Sequence, residues 1–263
     1  HMKQPKFVSG PPGTGKTHIY LIDKYKELLK KYSAEKIIML SHTNVAADEL
    51  KDAILKLPEM IERGLRKKFF KYKICTIHAF CKSKLLKKEL ITYADYLNLC
   101  AENSGFKAQR VTQSEFDNDK HKFFKFLSDS FGQGRTIREH WNSLRETSSN
   151  YYPYNNFRMI YEMKEVYDNY KKVNQVCDYN DMIKDFIDHA VVPDIDVLIV
   201  DEAQDSNVPQ IKALEKMSTN VKEYYMVGDA DQTIFEFAGA NADYFHKLSK
   251  DAEQLEDGLR CGE

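Results

Sequence analysis

Two kinds of hydrophobic pattern alternate along the chain. Short, nearly continuous apolar runs recur at Phe7-Val8, Lys36–Ser41, Lys73–Ile77, Ile195–Val200 and Tyr224–Val227. Runs of this length, bounded by polar turns, predict buried strands. Between them, apolar residues fall at helical spacing: Leu21, Tyr25, Leu28, Leu29 and Tyr32, then Ala47, Leu50, Ile54 and Leu57. A strand–helix–strand succession predicts a parallel sheet covered by helices, an α/β fold.

The pattern changes at 85–175. Strand-like runs stop and aromatics thicken (Phe116, Phe123, Phe124, Phe126, Phe131, Trp141), with basic residues between them. Ile160, Met163, Tyr167, Tyr170 and Val173 mark one long helix, and Gly132-Gln133-Gly134 and Ser148–Asn156 mark loops. The expectation is a mainly helical insertion at 85–175, dividing one sheet domain into 1–84 and 176–263. Most of the insertion's aromatics are expected in its core.

Composition narrows the class. At 42% hydrophobic and 30% charged residues the chain has ample material for a core, and no apolar run approaches the roughly 20 residues of a membrane span. Cys75, Cys81, Cys100, Cys177 and Cys261 are scattered without a C-x-x-C pair. That argues against zinc or a disulfide framework and for a reducing compartment, expected to be cytoplasmic. His1 before Met2 resembles a cloning remnant. The net charge of −1 conceals an asymmetry: 16 basic against 8 acidic residues in 1–80, and 7 against 20 in 176–263. A basic front suits a polyanion and an acidic rear suits metal chemistry.

Gly10-Pro11-Pro12-Gly13-Thr14-Gly15-Lys16-Thr17 fills G-x-x-x-x-G-K-[ST] between a strand and a helix. In that context successive backbone N–H groups and a helix N-terminus make an anion nest. Lys16 is expected on the β/γ-phosphates of a nucleoside triphosphate and the Thr17 hydroxyl on Mg²⁺. Downstream, an apolar strand ends in Asp201-Glu202-Ala203-Gln204-Asp205. Asp201 there suits Mg²⁺, and Glu202 suits orienting the attacking water. Gln232 follows the last strand, placed to sense a terminal phosphate. Phe235 and Phe237, an i, i+2 pair, fit either packed core or two exposed π-faces.

Gly10–Thr17, Ser41–Leu50, Thr76–Phe80, Asp178–Met182, Asp201–Gln210 and Gly228–Ala240 resemble, in order, the motifs of superfamily 1 DNA helicases of the UvrD/Rep/PcrA-like group. The resemblance covers 6–84 and 176–263. It implies a RecA-like P-loop NTPase motor domain, ATP and Mg²⁺ as cofactors, and single-stranded DNA and its junctions with duplex as partners. Lys16, Glu202, Gln232 and Arg260 fall on catalytic positions, with Arg260 a γ-phosphate contact. Thr43, Asn44, Thr76 and His78 fall on positions lining the strand path, and Phe235 and Phe237 on positions where bases stack. Translocation is expected to run 3′→5′, and the 85–175 segment falls where the group carries a helical accessory domain.

Three features depart from the group. No glutamine segment precedes the phosphate loop, Leu259 replaces a stacking tyrosine, and Ala238 stands where an arginine is common. Weak adenine selectivity is therefore expected. With the sequence ending just after Arg260, the chain is expected to be the N-terminal half of a motor, nearly inactive alone. A helicase–nuclease subunit and a nucleotide-switched single-strand-binding module are the other readings.

Overall fold

The computed structural model describes residues 3–9, 16–84, 88–118, 120–147, 156–228, 242–249 and 253–254. They divide into two compact units: one from the described residues of 1–85 and 185–263, the other from those of 86–184.

The first unit begins with β1 (Lys6–Ser9), α1 (Lys16–Leu28), β2 (Ile37–Ser41), α2 (Asn44–Ile54), α3 (Pro58–Glu62), β3 (Ile74–Thr76) and α4 (Ile77–Ser83). The second unit holds β4 (Glu89–Leu90), α5 (Tyr93–Glu102), α6 (Ser104–Lys107), α7 (Gln113–Asp117), α8 (Lys122–Gly132), α9 (Ile137–Thr147), α10 (Phe157–Asn174) and β5 (Val176–Cys177). The helix α11 (Tyr179–His189) starts there, and its residues from Asp185 on belong to the first unit. The first unit then adds β6 (Val197–Val200), α12 (Val208–Met217), β7 (Glu223–Gly228), α13 (Ala242–Ser249) and β8 (Glu253–Gln254).

The described strands of the first unit form a six-stranded sheet in the order β3-β2-β6-β7-β1-β8, with every pair parallel. β2 and β6 are buried throughout, which is why they read as unbroken apolar runs rather than as alternation. One sheet face, from Val8, Ile37, Met39, Ile74, Val197, Ile199, Tyr225 and Val227, packs with Leu21, Tyr25 and Leu28 of α1 and Leu50 and Ile54 of α2. The intervening residues Ile38, Leu40, Leu198, Val200 and Met226 are buried as well, so both faces are covered. β3 is shorter than its apolar run: the Thr76 hydroxyl accepts the Ala79 N–H at 3.2 Å, and this cap turns Ile77 into the first residue of α4.

The second unit packs around Tyr96, Phe106, Phe123, Phe126, Trp141, Ile160, Met163 and Tyr167. Thr92 with Asp95 and Thr112 with Glu115 form capping boxes that start α5 and α7. Compositional change suggests a return to the sheet domain at 176, but the contacts keep residues through Lys184 with the helices. Val176 and Cys177 pair with Glu89 and Leu90. The Lys171 ammonium lies 2.8 Å from carboxylates of both Asp178 and Asp181, and the Tyr167 hydroxyl donates to Asp178 at 2.9 Å. Those bonds tie the start of α11 to α10.

Candidate functional site

In a parallel sheet all strands present their carboxyl ends to one edge, the usual place for a ligand in α/β folds. Here register aligns Ser9 with Gly228, Val200 with Met226, Leu40 with Val200, and Ser41 with Thr76. β1 ends at this edge with Ser9, and α1 begins at Lys16. Asp201 emerges from β6 at the same edge, its N–H donating to the Leu40 carbonyl at 2.8 Å. β7 lies between β1 and β6.

Asp201 is a carboxylate without compensation among the described side chains. It is 7% exposed, and its Oδ1 has no hydrogen-bond partner there. Burial, reinforced by the Glu202 and Asp205 carboxylates and opposed by a hydrogen bond from the Glu202 N–H, pushes its pKa up to about 7. A buried acid with a vacant oxygen and acidic neighbours has the chemistry of a hard-cation ligand. Glu202 follows in the left-handed region at φ 49°, an unfavourable backbone for a side chain with a Cβ. The Gln204 amide holds it, donating from Nε2 to Glu202 Oε2 at 2.8 Å. Gly228 makes room for that contact: a Cβ there would lie 2.0 Å from Gln204 Oε1 and 3.2 Å from the Ala203 nitrogen.

Two neighbouring strand ends carry the predicted strand-path residues. Thr43 caps α2, its hydroxyl accepting the Ala46 N–H at 3.2 Å, and Asn44 is the first residue of that helix. Both are exposed, whereas Thr76 is buried and His78 half-buried on α4. Burial lowers the His78 pKa to about 4, and burial with the nearby His78 lowers that of His42 to about 4. Both rings are neutral at pH 7. His42 Nε2 meets Ser206 Oγ at 3.0 Å, so the β2 end is bonded to the turn after β6.

The sheet thus brings Asp201, Glu202, Thr43, Asn44, Thr76 and His78 to one edge. Gly10, Pro11, Pro12, Gly13, Thr14, Gly15, Gln232, Phe235, Phe237 and Arg260 lie outside the described residues, as do the side chains of Lys16 and Thr17. Sequence reasoning gave no role to His42, Ser206 or the Gln204–Glu202 contact. A bond across 164 positions leaves no local pattern to find. Among the described residues there is no cluster of three or more His, Cys, Asp or Glu side chains able to hold a metal, and no helix is long and apolar enough to cross a membrane. Cys75, Cys81, Cys100 and Cys177 are buried and none of them is in a disulfide.

A family model described as the UvrD/REP helicase N-terminal domain matches residues 1–253. An ATP-dependent DNA helicase Rep of Buchnera aphidicola subsp. Baizongia pistaciae is 27% identical over 97% of this chain and 39% of its own length. A probable DNA helicase II homolog of Mycoplasma pneumoniae is 26% identical over 91% of this chain and 34% of its own. One of Mycoplasma genitalium is 28% identical over 87% and 34%. The chain therefore spans between about a third and two fifths of the length of these relatives.

Proposed function

Since the chain belongs to the UvrD/REP helicase N-terminal domain family, we propose that its sheet unit is the RecA-like, ATP-binding half of a motor that moves along single-stranded DNA and opens duplex. The observation that carries this reading is Asp201: a buried carboxylate whose Oδ1 has no hydrogen-bond partner among the described residues, at the sheet edge where β1 ends just ahead of the G-x-x-x-x-G-K-T sequence. A folded protein retains such a group at a cost that binding a cation offsets.

In this reading Gly10–Gly15 and Lys16 cradle the phosphates, and Thr17 and Asp201 hold Mg²⁺. The ion, when bound with nucleotide, neutralises phosphate charge as a Lewis acid. Glu202 orients the attacking water; its left-handed backbone and the Gln204 amide fix where that carboxylate stands. Gln232 and Arg260 address the terminal phosphate. Thr43, Asn44, Thr76 and His78 line the strand path, with Phe235 and Phe237 as stacking faces. Neutral His42 and His78 suit that path as hydrogen-bonding groups rather than charges. The helical unit is the accessory insertion of the motor, and movement runs 3′→5′, a direction that rests on the resemblance.

The test is ATP turnover by the full-length protein with and without single-stranded DNA. Turnover stimulated by the strand and lost in Glu202→Gln, with nucleotide binding kept, supports the proposal. Strand-independent turnover, or turnover that survives in Glu202→Gln, contradicts it.

A further inference from the structure

Between α3 and β3 the sequence holds Arg63, Arg66, Lys67, Lys68, Lys71 and Lys73, with no acidic residue from 63 to 73. This stretch precedes β3, whereas the candidate site lies past the strands' carboxyl ends. It is firmly built. Gly64, at φ 62°, closes α3 with two bonds, from its own N–H to the Ile61 carbonyl at 2.9 Å and from the Leu65 N–H to the Met60 carbonyl at 3.1 Å. This is the helix ending that favours glycine at the left-handed position. Leu65 packs on the core that holds Met60, and a 3-10 turn at Lys67–Phe70 buries Phe70 there completely.

The basic side chains are not equivalent. Lys67 is paired, 3.1 Å from Asp52 and 3.8 Å from Asp48, and Lys73 donates to the Phe69 carbonyl at 3.1 Å. Arg63, Arg66, Lys68 and Lys71 are exposed and make no ion pair with a described residue. Beside them Tyr72 is 44% exposed, with the Lys71 ammonium 4.9 Å from its ring centroid. Cations without a carboxylate partner on a hydrogen-bonded turn next to a partly exposed ring match the needs of a single nucleic-acid strand: phosphates for the cations, a base for the ring.

We propose that Arg63, Arg66, Lys68, Lys71 and Tyr72 form a second contact for single-stranded nucleic acid, separate from the strand-end site. An acidic protein would engage the four cations but has less use for the exposed ring. The choice of nucleic acid rests on the reading of the protein as a DNA motor; the surface itself does not.

The experiment is fluorescence anisotropy with a fluorescein-labelled oligothymidylate of about 20 nucleotides, across a salt series, on the 263-residue chain. Lys67 is left intact in the variants so that its ion pairs still hold the turn. In R63A/R66A/K68A/K71A the slope of log K against log salt is expected to become shallower by about 3, from four contacts at roughly 0.7 each. Tyr72→Ala is expected to weaken binding roughly tenfold at unchanged slope. Both variants should keep the circular dichroism and Mg·ATP binding of the parent chain. An unchanged slope and affinity in the fourfold variant overturns the proposal. So does a loss confined to polyglutamate used as the competing probe, which assigns the surface to an acidic protein. A parent chain that ignores the oligonucleotide overturns it too, while Mg·ATP titration of the same sample reports separately on the nucleotide reading.

Discussion

His42, directly after β2, is bonded to Ser206 in the turn after the adjacent β6, with imidazole Nε2 and hydroxyl oxygen 3.0 Å apart. Ser206 is completely buried and His42 stays neutral at pH 7, so the link is a hydrogen bond inside the protein and not a surface ion pair. Thr43 and Asn44 follow His42 directly, and Asp201–Asp205 precede Ser206. The bond therefore joins the turn proposed to meet the strand to the turn proposed to meet the nucleotide.

His42→Ala leaves the buried Ser206 hydroxyl without its ring partner, and Ser206→Ala leaves the half-buried His42 ring without its hydroxyl. Ser206→Ala and His42→Ala should each cost about 1–3 kcal/mol in urea denaturation. The double variant should lose less than the sum of the two, with a coupling of roughly 0.5–3 kcal/mol. Strict additivity contradicts a direct bond.

Asp201→Asn should stabilise the nucleotide-free chain. The folded pKa of Asp201 is raised from 3.8 to about 7, so the folded state holds a proton that the unfolded state releases between those values. Its favourable contribution is present below about pH 4 and lost as pH rises to about 7, up to about 4 kcal/mol in all. At pH 8 without Mg²⁺ the variant should melt above the parent. Addition of Mg·ATP should raise the parent's melting temperature and leave the variant's nearly unchanged. A variant that melts lower in the absence of ligand contradicts the account.

Gly228→Ala places a methyl group where the Gln204 amide stands. Gln204 is 4% exposed and has little room to yield, so a loss of about 1–3 kcal/mol is expected in thermal or urea denaturation. Gln204→Ala in the same chain should recover most of it. If the glycine variant is as stable as the parent, the packing of Gln204 against β7 is not a constraint.

The elements that sequence made visible are those whose signal is local. β2, β6 and β7 are buried strands with continuous apolar runs, and α1 and α2 bury Leu21, Tyr25, Leu28, Ala47, Leu50 and Ile54 at helical spacing. The same spacing failed at Val173, which is 68% exposed although it continues the series Ile160, Met163, Tyr167, Tyr170. Near a helix end the stripe runs past the core it covers. β4 and β5 went unseen because two-residue strands have no period. In the site, Asp201 and Glu202 were legible from the apolar strand before them. The Glu202 backbone, the clearance at Gly228 and the His42–Ser206 bond depend on tertiary packing, which no window of sequence contains.

The helical unit should be sensitive to acid through His121. That ring is fully buried among Tyr96, Phe106, Phe123 and Phe124. Burial, against the opposing pull of the Gln109 carbonyl, lowers its pKa to about 4. The unfolded chain binds a proton near pH 6.5 that the folded chain refuses, so stability falls as pH drops from 6.5 toward 4. Between pH 7 and pH 5 the loss from this one group is about 2 kcal/mol. His121→Phe should flatten that part of the pH dependence in urea denaturation, and an unchanged profile assigns the acid sensitivity elsewhere.

Calorimetric titration of Mg·ATP into the chain tests the central claim most directly, comparing the parent with Lys16→Ala and Glu202→Gln. The account predicts binding by the parent, its loss in Lys16→Ala at unchanged circular dichroism, and its retention in Glu202→Gln, which lacks only the water-orienting carboxylate. Folded Lys16→Ala protein that binds Mg·ATP as the parent does would contradict the nucleotide site.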